Sequence, residues 1–419
     1  PEMQKRVSNV IRALAESDDN PIVSIHDHGA GGHLNCLSEL VEQTGGVIDI
    51  DKLPIGDKTL SAKEIIGNES QERMGLLVKQ EDLKRIERIA EREQAPFYVV
   101  GETTDDMRFT FRQPEGISPI DMELSDFFGK APETVMDDRT IEEVYSAPEY
   151  DVHQLGDYLE NVLKLEAVAS KDWLTNKVDR SVTGKIARQQ TQGEIQLPLS
   201  DCGAIALDYK GYAGMATSIG HAPMIDPAAG SVMAIAEALT NLVFAPLEKG
   251  LESVSLSANW MWPCRNPGED ARLYKAVEAC SDFACALGIN IPTGKDSLSM
   301  TQQYGDDKVY SPGTVIISAA AEVKNVRRIV SPVLAYIKGT YLYYIDFSYD
   351  TLKLGGSAFS QTLSKIGDEA PTVTDPEYFK NAFAAVQELV NRGLILAGHD
   401  ISAGGMITAM LEMCFANQQ

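Results

Sequence analysis

His399-Asp400-Ile401-Ser402-Ala403-Gly404-Gly405 repeats, 373 residues later, the stretch His26-Asp27-His28-Gly29-Ala30-Gly31-Gly32, agreeing in His, Asp, Ala and the two final glycines. Each copy follows an apolar run of strand type and precedes an apolar helical pattern that carries Leu-Glu or Glu-Leu. Each is also preceded, some way upstream, by Pro-Glu opening a helix, Pro1-Glu2 and Pro376-Glu377. Strand, glycine turn and helix together bring backbone N–H groups close to an anion. The Asp in such a turn caps the helix, holds a ligand, or does both. A period of 373 residues is far longer than any solenoid repeat, so the chain is expected to hold parts of two domain-sized copies. The first copy lacks its front and the second its end. With Pro1 in place of Met and an apolar pattern running almost to Gln419, the sequence reads as a piece of something longer.

The 419 residues are 44% hydrophobic and 23% charged, ordinary globular composition with room for several domains. Lys and Arg number 37 against 61 Asp and Glu, a net charge of −24 that repels phosphate backbones and anionic membranes. No nucleic-acid or membrane partner is expected. Phosphorylated substrates would have to be met locally, by helix N-termini, single Lys or Arg residues, or Mg²⁺. Six cysteines without a Cys-x-x-Cys pair are too sparse for a disulfide framework and favour a reducing, cytoplasmic compartment. No run of 18 apolar residues and no signal-peptide pattern is present.

Working outward from the first turn, residues 3–14 and 34–41 read as helices, 21–25 as a strand, 82–94 as a charged helix and 97–101 as a buried strand, a βαβ-rich domain ending near residue 135. Residues 136–169 are acidic and Pro-containing and read as a connector with one helical stretch at 155–165. From 170 to about 330, strand-like runs at 196–199 and 204–207 precede two helices at 231–244 and 273–287. Residues 331–419 return to short β-rich pieces such as 340–347, then a helix and the second glycine turn.

Glu237 and Asn241 stand at i, i+4 on a helix that is apolar nearly all round, so both project from one face. An unpaired carboxylate there is costly. Two readings stay open: an edge where the helix meets water, or a hard-metal site whose oxygen ligands suit Mg²⁺. Asp201, after a strand-like run, is a turn residue or a ligand. Gly294-Lys295-Asp296-Ser297 fails as a P-loop, because the opening glycine is displaced and Asp replaces Ser or Thr. Lys295 and Lys171 remain plausible phosphate contacts. The polar run Asn68-Glu69-Ser70-Gln71-Glu72-Arg73 before an apolar strand is a binding loop or a solvated turn. The absence of a nucleophile elbow and of zinc-type Cys/His spacing disfavours hydrolase and zinc chemistry.

Taken in order, the two glycine turns, the run from Gly67 to Arg73, Asp179-Arg180-Ser181-Val182-Thr183-Gly184, Glu237-Ala238-Leu239-Thr240-Asn241, Leu256-Ser257-Ala258-Asn259-Trp260-Met261 and Gly294-Lys295-Asp296-Ser297 resemble the synthetase region of the large phosphoribosylformylglycinamidine synthase family. The resemblance runs essentially end to end. It implies an α/β and α+β fold of tandem aminoimidazole-ribotide-synthetase-like domains, each an ATP-binding half that joins a central β-barrel plus an α+β C-terminal half, truncated here at both ends. Residues 1–135 would be the C-terminal half of the first copy, 136–169 a connector, 170–330 the nucleotide-binding half of the second, and 331–419 part of its C-terminal half.

The same resemblance implies conversion of formylglycinamide ribonucleotide, ATP and glutamine-derived ammonia to formylglycinamidine ribonucleotide, ADP and phosphate, with Mg²⁺ neutralising phosphates. It assigns Asp201, Glu237, Asn241 and Asp400 as magnesium ligands around an auxiliary ATP or ADP, and Ser200, Lys171 and Ser402 as nucleotide contacts. Asp27 would be the corresponding metal residue of the first copy. Glu69, Ser70 and Gln71 would contact substrate, and Lys295 and Asp296 would touch phosphate or metal. No catalytic residue is assigned, because the first copy's ATP loop, the linker with its proposed catalytic His and the glutaminase domain have no counterpart in the chain. The chain alone is therefore expected to form no amidine. A Mg-ADP scaffold without turnover is the alternative of a different class. Aminoimidazole ribotide or selenophosphate synthetase would need one complete copy.

Overall fold

In the computed structural model the described residues are 1–114, 116, 118–130, 132–175 and 184–417, so the motif at 179–183 lies outside them. The chain divides into two compact units, Pro1–Thr134 and Val135–Gln419.

The first unit runs α1 (Glu2–Ala15), β1 (Ile22–Asp27), α2 (Gly32–Leu40), β2 (Gly46–Asp49), α3 (Ala62–Gly67), β3 (Met74–Val78), α4 (Leu83–Arg92), β4 (Gly101–Thr103), β5 (Arg108–Arg112), β6 (Ile120–Glu123) and α5 (Leu124–Phe127). A four-stranded sheet has the order β4-β2-β5-β6, parallel between β2 and β5 and antiparallel elsewhere. Its Ile48, Phe109 and Phe111 share a core with Leu37 and Leu40 of α2. β1 and β3 form a separate antiparallel pair, and α1 packs on α4 through Val10, Leu14, Ile86 and Ala90. The buried strand expected at 97–101 is not formed. Only Gly101–Thr103 pairs, at the sheet edge, and Tyr98 and Val99 are exposed, because an edge strand has a partner on one side only.

The second unit follows with α6 (Leu155–Lys164), α7 (Asp172–Thr175), β7 (Ile186–Arg188), β8 (Thr191–Gln192), β9 (Leu197–Pro198), β10 (Gly203–Ala206), β11 (Gly214–Gly220), α8 (Pro227–Leu242), β12 (Val254–Met261), α9 (Glu269–Leu287), β13 (Asn290–Ser297), β14 (Thr301–Tyr304), β15 (Asp307–Tyr310), β16 (Thr314–Val323), α10 (Ala358–Thr362), α11 (Pro376–Arg392) and α12 (Gly405–Phe415). Six strands form one sheet in the order β13-β12-β16-β11-β10-β7. In β16 every second residue, Val315, Ile317, Ala319, Ala321 and Val323, turns into the core, the period-2 pattern of a sheet covered on one face.

The covering element is α8. Asp226 caps it by accepting from Ala229 N at 2.8 Å, and Pro227 occupies its first turn. Its face toward the sheet is built from small residues, which allows a very close approach. A Cβ on Gly220 of β11 would lie 2.2 Å from both Ala234 O and Ala238 N, so only glycine fits that strand end. α9 packs on the same helix and joins β12 to its parallel neighbour β13.

Two expectations are corrected. Among the described residues no sheet closes into a barrel: the six-stranded sheet is open, with β13 and β7 at its edges. Residues 340–347, expected to be β-rich, pair with no strand and leave Tyr341, Leu342, Tyr343 and Tyr344 exposed, since apolar alternation makes a strand only where a ladder partner exists. No helix among the described residues is long and apolar enough to cross a membrane.

Candidate functional site: a buried carboxylate cluster at the second glycine turn

The two repeated turns share a backbone. Gly31 and Gly404 lie at φ +84° and +94° and cap α2 and α12, and Gly32 and Gly405 follow at +62° and +74°. Positive φ at two successive positions is what only glycine adopts without strain. Their surroundings differ. Asp400 is 8% exposed, whereas Asp27 faces solvent.

Around the second turn the structure gathers side chains from three distant segments. A cavity of about 200 Å³ is lined by Ser200, Asp201, Asn241, His399, Asp400 and Ser402, among others. Glu237 joins them through hydrogen bonds with Ser402, Asn241 and Asp400. Thr240 Oγ1 donates to Asp400 Oδ2 at 2.9 Å, and Asn241 Nδ2 donates to Ile219 O at 3.1 Å, which ties the end of α8 to β11. Ser200 Oγ donates to Gln189 O at 2.8 Å.

His399 stands between two acids: its Nδ1 lies 2.5 Å from Asp201 Oδ1 and its Nε2 lies 2.9 Å from Glu412 Oε2. Burial alone would strip the ring of its proton, but the hydrogen bonds to both carboxylates outweigh that and raise its pKa to about 10. Burial pushes Asp201 up, against the pull of His399. Burial also pushes Asp400 well above the carboxylate range, helped by the charges of Glu237 and Asp201. Glu237 is raised to about 7, again chiefly by burial, while Ser402 and Asn241 oppose the shift and Asp201 adds to it. The cluster thus holds more carboxyls than one imidazolium offsets, and burial favours their protonated forms.

Crowded carboxyls of this kind are relieved by protonation or by a cation. Among the described residues, no three His, Cys, Asp or Glu side chains are gathered tightly enough to hold a metal ion by themselves. The carboxyls of Asp201 and Asp400 and the amide of Asn241 are oxygen donors at the cavity, and an ion bound there would need water or other oxygens to complete its shell.

The other candidates fall elsewhere. Lys171 does not line this cavity; its ammonium donates to Ala169 O at 2.8 Å and to Glu166 O, closing its own loop. Lys295 and Asp296 lie exposed on edge strand β13, with Lys295 against Ser297, and neither lines the cavity. Glu69, Ser70 and Gln71 belong to the first unit, where Asn68 Nδ2 donates to Ser70 Oγ at 3.0 Å and Gln71 Nε2 to Glu69 Oε1 at 3.1 Å. That run is apposed to the first glycine turn: His28 N donates to Arg73 O at 3.2 Å, and a Cβ on Gly32 would lie 2.4 Å from Asn68 O. Local spacing did not show this apposition. The His399 bridge also escaped it, although the repeat carried a signal: Glu39 follows His26 by the same 13 positions that separate Glu412 from His399.

Comparison with known proteins places this architecture. Residues 170–322 match the FGAR-AT PurM_N-like domain family, and residues 1–113 and 339–419 match the C-terminal domain of AIR synthase related proteins. Phosphoribosylformylglycinamidine synthase of Homo sapiens is 40% identical over 99% of the chain. The chain is homologous to phosphoribosylformylglycinamidine synthases over nearly its whole length. The Drosophila melanogaster synthase is 39% identical over 98% of the chain, and a probable chloroplastic/mitochondrial synthase of Arabidopsis thaliana is 38% identical over 100%. The chain spans about a third of the length of these synthases, 33%, 32% and 31% respectively. Among solved structures, Thermotoga maritima PurL complexed with ATP shares the fold, with TM-score 0.59 at 18% identity, covering 78% of this chain and 50% of that one. The same protein complexed with FGAR matches at TM-score 0.58 and 18% identity, over 79% of this chain and 49% of that one.

Proposed function

We propose that the chain is part of an ATP-dependent ligase of purine biosynthesis that converts formylglycinamide ribonucleotide, ATP and glutamine-derived ammonia to formylglycinamidine ribonucleotide, ADP and phosphate. The names of the synthase relatives support the reaction, and the PurL titles with ATP and FGAR support the substrates. The observation that carries the site is the buried cluster of Asp201, Glu237 and Asp400 beside Asn241, Ser200 and Ser402. Asp201, Glu237, Asn241 and Asp400 hold Mg²⁺, and the hydroxyls of Ser200 and Ser402 face the nucleotide. Bound there, Mg²⁺ neutralises phosphate charge. In the first unit, Asp27 takes the equivalent metal role at its own turn, beside the substrate run of Glu69, Ser70 and Gln71. Lys171 contacts nucleotide only by leaving its own loop carbonyls, and Lys295 and Asp296 would serve a phosphate at the sheet edge. The cytoplasm suits six cysteines, none of them in a disulfide. The rest of the synthetase and a glutaminase domain are the partners of the complete enzyme.

A scaffold reading stands beside the ligase: the cavity of the second unit offers metal and hydroxyl contacts, while the expected substrate run belongs to the first unit. Two assays separate them. In differential scanning calorimetry, Mg-ADP should raise the melting temperature of the chain, and Glu237→Ala should abolish that rise; equal shifts in both proteins would refute the site. In a coupled assay with formylglycinamide ribonucleotide, ATP and ammonia, the chain alone is expected to give no amidine, and product formation would show that it carries the complete ligase site.

A further inference from the structure

We infer that His399, braced by Glu412, is a positioning residue that aims the Asp201 carboxylate into the nucleotide cavity. The inference rests on the cation reading of that cavity. Asp201 precedes β10, His399 precedes the glycine turn, and Glu412 lies on α12, so the bridge links a residue of the six-stranded sheet region to a turn 198 positions away and to the helix behind it. The side chains of Asp201 and His399 are 5% and 10% exposed, and that of Glu412 is 29% exposed. One imidazole thus fixes the orientation of a buried carboxylate and is itself held at its other nitrogen by Glu412, which also borders the cavity. The Asp400 backbone N–H adds a further bond to Asp201. A carboxylate held in this way keeps its remaining lone pairs directed at the cavity, the task that outer-sphere hydrogen bonds perform around metal ligands.

A His–Glu pair also stands at the first turn. In the first turn His26 Nδ1 lies 2.8 Å from Glu39 Oε2 with the same 13-residue spacing, although those side chains are 40% and 31% exposed. Pairs that open to water contribute little to stability. A His–Glu pair at this spacing stands at both turns, through Nδ1 at the exposed first turn and through Nε2 at the buried second one, where it leaves Nδ1 for Asp201. In the second unit the ring's other nitrogen meets Asp201; in the first, His26 Nε2 meets no partner among the described residues.

The test titrates Mn²⁺ into the chain at saturating ADP and follows the EPR signal of the free ion, with ligand-free melting as the control for folding. His399→Ala should weaken Mn²⁺ binding about 10–100-fold. Glu412→Ala should weaken it several-fold without moving the ligand-free melting temperature, and Glu412→Gln, which keeps an acceptor for the ring, should restore most of the affinity. A brace that serves packing alone would shift melting and leave Mn²⁺ affinity unchanged. Binding within twofold of wild type in folded His399→Ala overturns the inference; where that variant does not fold, the same result in Glu412→Ala overturns it. Failure of the wild type to bind Mn²⁺ with ADP removes the cation reading and this inference together, whereas wild-type binding that Glu237→Ala abolishes and His399→Ala retains removes this inference alone.

Discussion

Asp400→Asn should melt higher than wild type without ligand and should no longer be stabilised by Mg-ADP. Asp400 is buried beside Glu237 and Asp201, and burial together with their charges pushes its carboxyl well above the ordinary range. An amide of the same shape replaces an acid that must be protonated, or charged at a cost, in that setting, and it still accepts the 2.9 Å hydrogen bond from Thr240 Oγ1. Relief of the cost of burying that acid is worth about 1–2 kcal/mol. In a domain of this size that corresponds to a rise of roughly 3–6 °C in melting temperature. The same substitution takes away an oxygen donor, so affinity for the Mg-nucleotide should fall by about 100-fold or more, at or beyond the upper end of what loss of an outer-sphere partner costs. Calorimetry with and without Mg-ADP measures both. A ligand-free melting temperature at or below that of wild type, or an unchanged ligand-induced shift, would contradict the account of the cluster.

The second large effect is expected at Gln387, which does not line the cavity. Its side chain is 5% exposed on α11 and serves three backbone groups of the segment that follows α8. Nε2 donates to Val243 O at 2.6 Å and to Ala245 O at 2.8 Å, and Oε1 accepts from Leu247 N at 3.1 Å. Gln387→Leu keeps the volume but leaves two carbonyls and one N–H buried without partners. Each such group costs about 1–3 kcal/mol, so a loss of roughly 3–5 kcal/mol is expected. That is a drop on the order of 10 °C in melting temperature, and a change smaller than about 2 °C would show that the segment finds other partners. Because this clamp follows Glu237, Thr240 and Asn241 in the chain, weakened Mg-ADP binding should accompany the loss of stability.

Much of the site could be read from the chain because the chemistry there is local. Two glycines after His-Asp need positive φ, and both turns have it. Glu237 and Asn241 are i, i+4 on a helix, and the helix brings Asn241 to the cavity and Glu237 against Ser402, Asn241 and Asp400. Between solvent edge and ligand face, the partly buried Glu237, raised to about 7 chiefly by burial, does not stand as a fully water-facing glutamate.

What the chain could not show concerns partners separated by many residues. Lys171 was expected to reach a phosphate, yet its ammonium is occupied by carbonyls two and five residues away. An ammonium takes the nearest acceptors that its loop presents, and loop conformation is not written in spacing. Residues 340–347 have strand composition and no ladder, because pairing depends on a second strand. Gln387 looks like any polar residue on a helix until the loop after α8 folds against it.

By itself, then, the sequence determined the elements whose causes lie within a few residues: the repeated glycine turns, the capped apolar helix α8 and its paired Glu237 and Asn241, the alternating strands, and the acidic balance that forces any phosphate to be met locally. Only the tertiary structure decided which carboxylates share one cavity, that His399 bridges Asp201 and Glu412, that Asp27 is exposed while Asp400 is buried, and that the sheets stay open. The reason is physical. Backbone conformation follows from local sterics and hydrogen bonding, whereas burial and the pairing of charges depend on segments that meet only when the core has formed.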